Sequence, residues 1–417
     1  MTVLRLTKRG AGKNSGEDWP NAAGLASLGR VLGAAREDTT VLIGFDRDRE
    51  DPVFYSGSPV ILSASGTAEK PIRLTAGYIG NNFDVQPQRG PAHQMFFKNS
   101  GASLRRAGAP GKGNRFLTLA NGASHLRISG FRVEGATADG FVKFSGRGSF
   151  DDIVLEGMGG THIGRFIECD PDTAIGGLIV ENCDAFGIVR GFGRFRSLTD
   201  AVFRNLFLDA GHVDGGGSQI CQIIHVEKGR DVTFENVVVR DAVNLIPGDK
   251  GEHYAQGDGI VTEAGTASFV LRNCHASGMG DGGFDLKTVG VTLEDCSASR
   301  CKFGMRIWSR GENMMRRCAV ESPHSAGGTR GACVQVRGTV DVIDSVFQAG
   351  PHTSVFAFNG NREATDRVIR VFGGSVRLDA GAALVAGVVH GKLELHDVAV
   401  NGTVRNETHD YGGKELL

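Results

Sequence analysis

The chain has no excess of charge of either sign, because its 417 residues contain 46 Lys and Arg against 47 Asp and Glu. This balance provides no basic surface for nucleic acid and no polybasic run for a membrane surface. No apolar run reaches the length of a signal peptide or of a transmembrane helix. The sequence therefore predicts neither a nucleic-acid partner nor a membrane partner.

Common catalytic and ligand-binding motifs are also missing. No GxGxxG segment follows a strand, and neither a Walker loop nor an HExxH segment occurs in the sequence. These absences argue against a dinucleotide site, a P-loop and a zinc protease site. Aromatic residues make up only 7% of the chain, so any core must be built mainly from aliphatic side chains.

What the sequence does contain is a loose repeat of eight residues, apolar-x-apolar-x-Asn/Asp-apolar-x-apolar. Clear copies are Val232–Val239, Phe269–Ala276, Val291–Ala298 and Val340–Phe347. The Asn/Asp position falls at Gly130, Gly157, Asn182, Asn205, Asn236, Asn273, Asp295, Arg317, Asp344, Gly373 and Asp397. A period of this length, with strand-type alternation inside each unit, predicts a β-solenoid. The 62 Gly residues fit its many tight corners.

The eight Cys form no CxxC-type pair, which argues against a metal knuckle. Four of them share one position of the repeat, immediately after the Asn/Asp position: Cys183, Cys274, Cys296 and Cys318. We expect them to face inward as small apolar side chains.

The repeat predicts one domain over residues 1–417. Residues 20–36 read as an amphipathic helix that covers the open end of the solenoid. Coils are expected over residues 39–404, and the polar residues 405–417 are expected to form a flexible tail. The segment Val243–Gln256 reads as a loop that projects from one coil.

Five short segments align on the apolar residue that begins each of them: Ile224–Glu227, Ile260–Glu263, Phe284–Lys287, Met305–Trp308 and Val334–Arg337. Alternation puts two columns of side chains outside. The first column is His225, Val261, Asp285, Arg306 and Gln335, and the second is Glu227, Glu263, Lys287, Trp308 and Arg337. These columns predict a charged patch on the flank of the solenoid. The alternative is a charged ladder that only keeps the outer face soluble.

With its helix cap, its coil period, its Gly corners and its Asn/Asp ladder, the chain resembles the pectate-lyase-like right-handed parallel β-helices. The resemblance implies an all-β fold, a single-stranded right-handed parallel β-helix. Members of this superfamily include polysaccharide lyases, polygalacturonases, uronan epimerases and surface or phage proteins. The resemblance favours a secreted or cell-surface location. The absence of a signal peptide in this chain is also compatible with the cytoplasm.

The resemblance also implies a Ca²⁺ cofactor. Gly280–Lys287 is similar to the calcium segment Asp-Asp-Gly-Trp-Asp-Leu of family-9 pectate lyases, which makes Asp281 and Asp285 candidate ligands; Gly282 replaces the second Asp. Glu227 and Glu263 on neighbouring coils complete the predicted set, since Ca²⁺ prefers oxygen ligands.

Two basic residues are the candidates for proton abstraction. Arg306 matches the lysine position of a Gly-Phe-Lys-Leu segment in the family, whereas Lys287 loses its proton more readily than a guanidinium. His253 and Tyr254 in the projecting loop are candidates to protonate the leaving group. His225, Trp308 and Arg337 are candidates for substrate binding.

The sequence thus predicts an enzyme, a polysaccharide lyase that cleaves an acidic, uronate-containing polysaccharide by β-elimination. A uronan C5-epimerase would share the proton abstraction. A non-catalytic glycan-binding protein, such as a surface or phage β-helix, is the alternative from another class. The polygalacturonase pattern of Asn-Thr-Asp, Asp-Asp and Gly-His-Gly is missing, which argues against hydrolysis by that route.

Overall fold

The computed structural model describes residues 1–45, 59–79, 85–86, 95–98, 115–134, 140–213, 220–247, 253–309, 311–325, 330–358 and 367–416. The chain forms two compact units, Met1–Phe207 and Leu208–Leu417. Strands dominate both, and the all-β prediction is confirmed. The single domain over residues 1–417 stays a prediction. In the described ranges, neither helical segment is long and apolar enough to cross a bilayer.

Seventeen strands begin in the described part of the first unit. They are β1 (Thr2–Thr7), β2 (Ala23–Gly24), β3 (Thr39–Phe45), β4 (Val60–Leu62), β5 (Ile72–Ile79), β6 (Val85–Gln86), β7 (Met95–Lys98), β8 (Leu117–Ala120), β9 (Leu126–Ser129), β10 (Phe131–Glu134), β11 (Val142–Ser145), β12 (Gly148–Glu156), β13 (Gly159–Thr161), β14 (Arg165–Cys169), β15 (Thr173–Phe186), β16 (Gly191–Phe195) and β17 (Leu198–Asp209). Parallel pairs join strands of successive coils, as β9 to β12 and β12 to β15. An inward column of Phe116, Phe141, Phe166 and Phe192 stacks with ring centroids 5.1 to 5.3 Å apart.

The N-terminal helix is shorter than predicted. A 3-10 turn at Leu25–Ser27 leads into α1 (Leu28–Gly33), which packs against β4. The predicted apolar face is buried, but residues 23–24 are extended because they pair with β1. β1 also pairs in parallel with β3. Coil-type pairing therefore starts at Thr2 and not at residue 39.

Twenty-one strands begin in the described part of the second unit. They are β18 (Gln222–Val226), β19 (Gly229–Arg240), β20 (Asn244–Pro247), β21 (His253–Gln256), β22 (Asp258–Thr262), β23 (Thr266–Arg272), β24 (His275–Ser277), β25 (Gly282–Leu286), β26 (Val289–Glu294), β27 (Ser297–Ser299), β28 (Phe303–Ile307), β29 (Glu312–Arg316), β30 (Ala319–Glu321), β31 (Ala332–Val336), β32 (Thr339–Ile343), β33 (Val346–Ala349), β34 (Ser354–Phe358), β35 (Val368–Phe372), β36 (Ser375–Leu378), β37 (Ala383–Val400) and β38 (Thr403–Leu416).

From β22 to β36, each coil of the second unit places three strands in fixed order, and each of these strands pairs in parallel with its equivalent on the next coil. The strands β23, β26, β29 and β32 form one such ladder, and β22, β25, β28 and β31 form another. The parallel solenoid predicted from the repeat is therefore confirmed within this unit. Its right-handed winding stays a prediction.

The corners of the repeat are where the sequence places them. All eleven Asn/Asp positions have a positive φ, between 48° and 80°. Side chains link neighbouring corners, since Asn205 Nδ2 donates to Asn182 Oδ1 at 3.1 Å and Asn273 Nδ2 donates to Asn236 Oδ1 at 2.7 Å. Asn and Gly tolerate this left-handed conformation best. The corners thus fix the coil length.

The four Cys that follow a corner, Cys183, Cys274, Cys296 and Cys318, are buried, as predicted. All eight Cys are free thiols and buried. The thiols of Cys274, Cys296 and Cys318 each donate to a backbone carbonyl of the preceding coil, at 3.5, 3.4 and 3.6 Å. They contribute to the core and not to a metal site.

The C-terminal residues correct another expectation. The segment predicted as a flexible tail forms β38, which pairs antiparallel with β37. Asn401 and Gly402 make the turn with φ of 46° and 82°, the conformation that favours a two-residue hairpin. The returning strand covers an edge that would otherwise be unpaired.

The corner ladder leads to a prediction about stability. We expect Asn273→Ala to lower the free energy of unfolding by about 1–2 kcal/mol, because alanine in a left-handed corner is strained and the bond to Asn236 is lost. Asn273→Gly should cost less, since glycine relieves the strain but not the lost bond. Denaturant unfolding measures both. Equal losses for the two variants would contradict the role of the corner conformation.

Candidate functional site

Strand register brings the predicted outer columns together. In the ladder of β18, β22, β25, β28 and β31, His225 faces Val261, Val261 faces Asp285, Asp285 faces Arg306, and Arg306 faces Gln335. The residues of the second column follow these strands directly and lie side by side in the same way. Adjacent strands lie ~4.8 Å apart, so the charged groups of neighbouring coils are in contact range.

The first column is not a solvated face, which corrects the expectation that Arg306 projects into solvent. Asp285 is 6% exposed and Arg306 is 7% exposed. The guanidinium of Arg306 lies 4.2 Å from the ring centroid of Phe303 and 5.4 Å from that of Trp308. Aromatic rings and neighbouring charges therefore bury this side chain. A ladder that only confers solubility would be exposed.

Acids and bases of neighbouring coils pair with one another at this site. Arg306 holds Asp281 through two hydrogen bonds of 2.9 Å and lies 3.5 Å from Asp285 Oδ2. Lys287 Nζ lies 3.8 Å from the same Asp285 oxygen and 2.9 Å from Glu263 Oε2. Two cations thus converge on one buried carboxylate. The bidentate Arg306–Asp281 pair is the strongest geometry available to such groups.

Asp258 belongs to the same group and was missed by the sequence reasoning. It is buried at the start of β22, and its Oδ1 accepts a hydrogen bond from the N–H of Gly282 at 2.8 Å. Burial, together with Asp285 and Asp281, raises its pKa to about 8. A signal existed, since Gly-Asp-Gly occurs at both 257–259 and 280–282. We call Asp258, Glu263, Asp281, Asp285, Lys287 and Arg306 the charged cluster.

The environment shifts two other carboxyl groups of the charged cluster in opposite directions. Burial raises the pKa of Asp285, although Arg306 and Lys287 oppose the shift. Contact with His225, and then with Lys287, lowers the pKa of Glu263 to about 2. Divergent pKa values among neighbouring carboxyl groups are typical of catalytic sites.

Several buried polar atoms at this site have no hydrogen-bond partner among the described residues. They are His225 Nε2, which lies 3.4 Å from Glu263 Oε1, Asp285 Oδ1, Arg306 Nε, Trp308 Nε1 and Gln335 Oε1. Buried polar groups are nearly always satisfied in native proteins. Their concentration on adjacent columns indicates a place where water or a polar ligand binds.

The remaining predicted residues lie at the margin. Glu227 and Trp308 are half-buried, and Arg337 is exposed, with its backbone N–H bonded to Ile307. The projecting segment forms a hairpin of β20 and β21, which places the backbone of His253 and Tyr254 opposite Pro247 and Ile246. The side chains of His253 and Tyr254 lie outside the described residues.

The predicted calcium ligands do not fit a calcium ion in this arrangement. Asp281 is held by Arg306, and Glu263 is held by Lys287. Within the described ranges, no group of three or more His, Cys, Asp or Glu side chains is placed to hold a metal. A cation such as Ca²⁺ needs several free oxygen ligands. The positive charge of the site comes from Arg306 and Lys287.

Comparison with known proteins supports the fold. Residues 169–329 match a family model described as rhamnogalacturonase A/epimerase, pectate lyase-like. A lacto-N-biosidase from Eubacterium ramulus is 11% identical, with 96% of this chain and 67% of that chain covered and a TM-score of 0.50. The pectate lyase Pel9A is 11% identical, with 97% and 82% covered and a TM-score of 0.41. No curated protein sequence matches the chain.

The family model and the lacto-N-biosidase structure support a pectate-lyase-like fold. At such low identities, they do not carry over an activity, because one fold hosts many unrelated functions. The chemistry must therefore be argued from the charged cluster itself.

The raised pKa of Asp258 gives a stability prediction with a definite sign. Between its ordinary value of 3.8 and about 8, the unfolded chain releases the proton while the folded protein retains it, so stability falls as the pH rises. Asp258→Asn keeps an acceptor for Gly282 and cannot ionise. We expect this variant to gain at least about 1.4 kcal/mol over wild type at the upper end of that window.

Thermal unfolding at both ends of the window measures this difference. The exposed Asp231→Asn serves as the control and should track wild type at both pH values. A gain for Asp258→Asn that is equal at low and high pH would contradict the assignment.

Calcium gives a second prediction. Because the carboxylates are already paired with Arg306 and Lys287, we expect the melting temperature to be the same in excess Ca²⁺ and in EDTA. Anything that binds only the folded state raises its stability by mass action. A melting temperature that increases with Ca²⁺ concentration would show that a calcium site exists after all.

Proposed function

We propose that this protein is a polysaccharide lyase that cleaves a uronate-containing polysaccharide by β-elimination, with Lys287 as the proton acceptor. The position of Lys287 is the observation that carries the proposal. Its side chain is 29% exposed, against 9% for Arg306. Lys287 is therefore the cation of the charged cluster that a substrate can reach.

The β-elimination requires few protein groups. Once the Lys287 ammonium has released its proton to water, the proton on C5 of the uronate moves to the Lys287 amine, and the electron pair of the C5–H bond forms the C4–C5 double bond. The C4–O4 bond breaks, and the leaving oxygen takes a proton from solvent. General-base catalysis of this kind contributes typically ~10²–10⁴-fold to a rate.

Arg306 supports the step without accepting a proton. Burial opposes its charge, but Asp285 and Asp281 raise the pKa of Arg306 above its ordinary value. A guanidinium that is buried and held by two hydrogen bonds keeps its charge throughout. We assign it to stabilise the negative charge that develops on the substrate, and we therefore favour Lys287 over Arg306 as the proton acceptor.

Trp308 and His225 fit roles in substrate binding. Trp308 follows β28 beside Lys287 in the strand register, and its half-buried ring provides a face on which a sugar can stack. Its Nε1 lies close to Asp285 and the Nε2 of His225 lies 3.4 Å from Glu263, and we assign both to donate to substrate oxygens when the substrate binds. Arg337, exposed one coil further on, stays a prediction.

Hydrolysis of a glycosidic bond is a second candidate, and the state of Asp285 favours it. This carboxyl group is buried, has a raised pKa, and has an oxygen without a partner. A carboxylic acid kept protonated in this way can donate a proton to a leaving group while a second carboxylate acts as base. The products differ, because hydrolysis adds water and leaves no double bond.

Activity assays of wild type and Lys287→Ala test the proposal. Incubation with a panel of uronate polymers should give the ultraviolet absorbance of an unsaturated product, and the variant should be at least ~100-fold slower. Lys392→Ala is the matched control, since Lys392 forms a similar surface pair with Glu394 at 2.6 Å; it should keep full activity.

The other readings give different outcomes in the same assay. New reducing ends without the absorbance would establish hydrolysis. Deuterium incorporation at C5 without chain cleavage would establish epimerisation. Full absorbance from Lys287→Ala would remove Lys287 from the mechanism.

A further inference from the structure

A cavity of about 430 Å³ lies in the second unit, at the corner that precedes β25. Its walls include His212, Asp241, Met279, Arg300 and His324. The volume falls within the ~300–1,000 Å³ of small-molecule sites. None of these residues belongs to the charged cluster, and the sequence reasoning did not single them out.

The cavity is built on a second column of left-handed corners. Asp241, Gly278 and Arg300 occupy the same corner on successive coils, with φ of 56°, 70° and 50°. A Cβ atom at Gly278 would lie 2.1 Å from Asp241 Oδ1. Because Gly278 has no side chain, the carboxylate of Asp241 can occupy the space that a Cβ atom would fill. Any other residue at this corner would clash with that carboxylate.

Arg300 supplies an uncommitted positive charge. Its side chain is exposed and makes no ion pair with any described residue. Arg317, which also stands in a left-handed corner, binds Asp295 and Glu294. Long side chains are uncommon in this conformation. At Arg317 an ion pair compensates for the backbone cost, whereas nothing in the described structure does so for Arg300.

The rest of the lining offers hydrogen-bond acceptors and donors. Asp241 Oδ1 lies 3.4 Å from His212 Nε2, and its Oδ2 lies 3.6 Å from the Arg240 guanidinium. The His324 Nε2 lies 3.0 Å from the carbonyl oxygen of Met279. A ligand must therefore have an anionic group for Arg300 and hydroxyl groups for Asp241.

A sugar acid has both features. Its carboxylate matches Arg300, and its hydroxyl groups can donate to Asp241. A phosphate has no hydroxyl groups that could donate hydrogen bonds to the carboxylate of Asp241. Repulsion between the two negative charges would oppose its binding. A neutral sugar would leave the charge of Arg300 unused.

The cavity and the charged cluster are joined by the chain. Gly280 lines the cavity, and the next residue, Asp281, holds Arg306. β25 begins directly after Asp281, and Lys287 follows its last residue. A polymer that places one sugar at Lys287 can thus place another in the cavity, on the far side of the same short strand.

We propose that this cavity is a subsite that binds a carboxylate-bearing sugar of the substrate, with Arg300 as the ligand of the carboxylate. The proposal rests on the proposed function for the identity of the polymer. It adds a specificity-determining position, because a subsite with a free arginine favours uronate over neutral sugars at that place in the chain.

Calorimetric titration tests the subsite. Tetragalacturonate, tetramannuronate and the neutral cellotetraose are titrated into Lys287→Ala, which removes turnover, and into Lys287→Ala with Arg300→Ala. We expect a uronate tetramer to bind at least about tenfold more weakly when Arg300 is absent, the worth of one charge-assisted hydrogen bond. Arg300→Lys should retain part of the affinity.

Arg316→Ala in the same background is the matched control, because Arg316 is exposed on β29 and does not line the cavity. Its affinity should be unchanged, and thermal unfolding should show all variants folded. Unchanged uronate affinity in Arg300→Ala, no uronate binding by the parent, or an equal loss for cellotetraose would each overturn the subsite.

Failure of the proposed function gives a different result. Wild-type protein would then form no unsaturated product from polymers that it still binds through Arg300. If instead the product forms and Arg300→Ala leaves KM and kcat unchanged, β-elimination stands and the subsite falls.

Discussion

Parallel hydrogen bonding between one coil and the next is the constraint on which the site depends. It places equivalent residues of successive coils ~4.8 Å apart whatever their charge. Asp285 and Arg306 are neighbours because their strands are in register, and the same holds for the residues that follow them. The opposite charges of Asp285 and Arg306 make this enforced proximity favourable, since like charges at these two positions would destabilise the ladder.

Burial of so many ionisable groups has a cost, and the structure offsets it in three ways. Arg306 and Asp281 share a bidentate pair. Lys287 and Glu263 pair where solvent still reaches them. Asp258 avoids a charge by holding its proton. Removal of charge from water costs several kcal/mol per ion, so such a cluster is more readily explained by chemistry than by stability, as expected where function overrides local rules.

The sequence predicts the repetitive features well and the exceptional ones poorly. Corners such as Asn236 and Asn273 are local, because the residue type itself favours a left-handed backbone, and all of them were correctly placed. The column of Asp285 and Arg306 follows from alternation. Alternation gives the face of a side chain but not what covers it, so the burial of Arg306 was missed.

Other differences have equally specific causes. In the strand register, Asp258 lies beside Gly282 and not beside Asp281. An alignment of the repeat that looks for acidic residues at equivalent positions therefore does not find Asp258. The helix is short because residues 23–24 pair with a strand near the N-terminus, a long-range contact that local periodicity does not contain. The hairpin at Asn401-Gly402 had a clear turn signal, which the polar character of the following residues obscured.

That hairpin has a consequence for how a protein of this kind can change in length. A parallel coil is a template for another, so duplication of an internal coil extends the stack with every hydrogen bond intact. β38 runs the other way against β37, and a duplicated coil placed after it would meet an edge of the wrong polarity. Growth by duplication is therefore confined to positions upstream of the hairpin, where each added coil would also lengthen the surface available to a polymer.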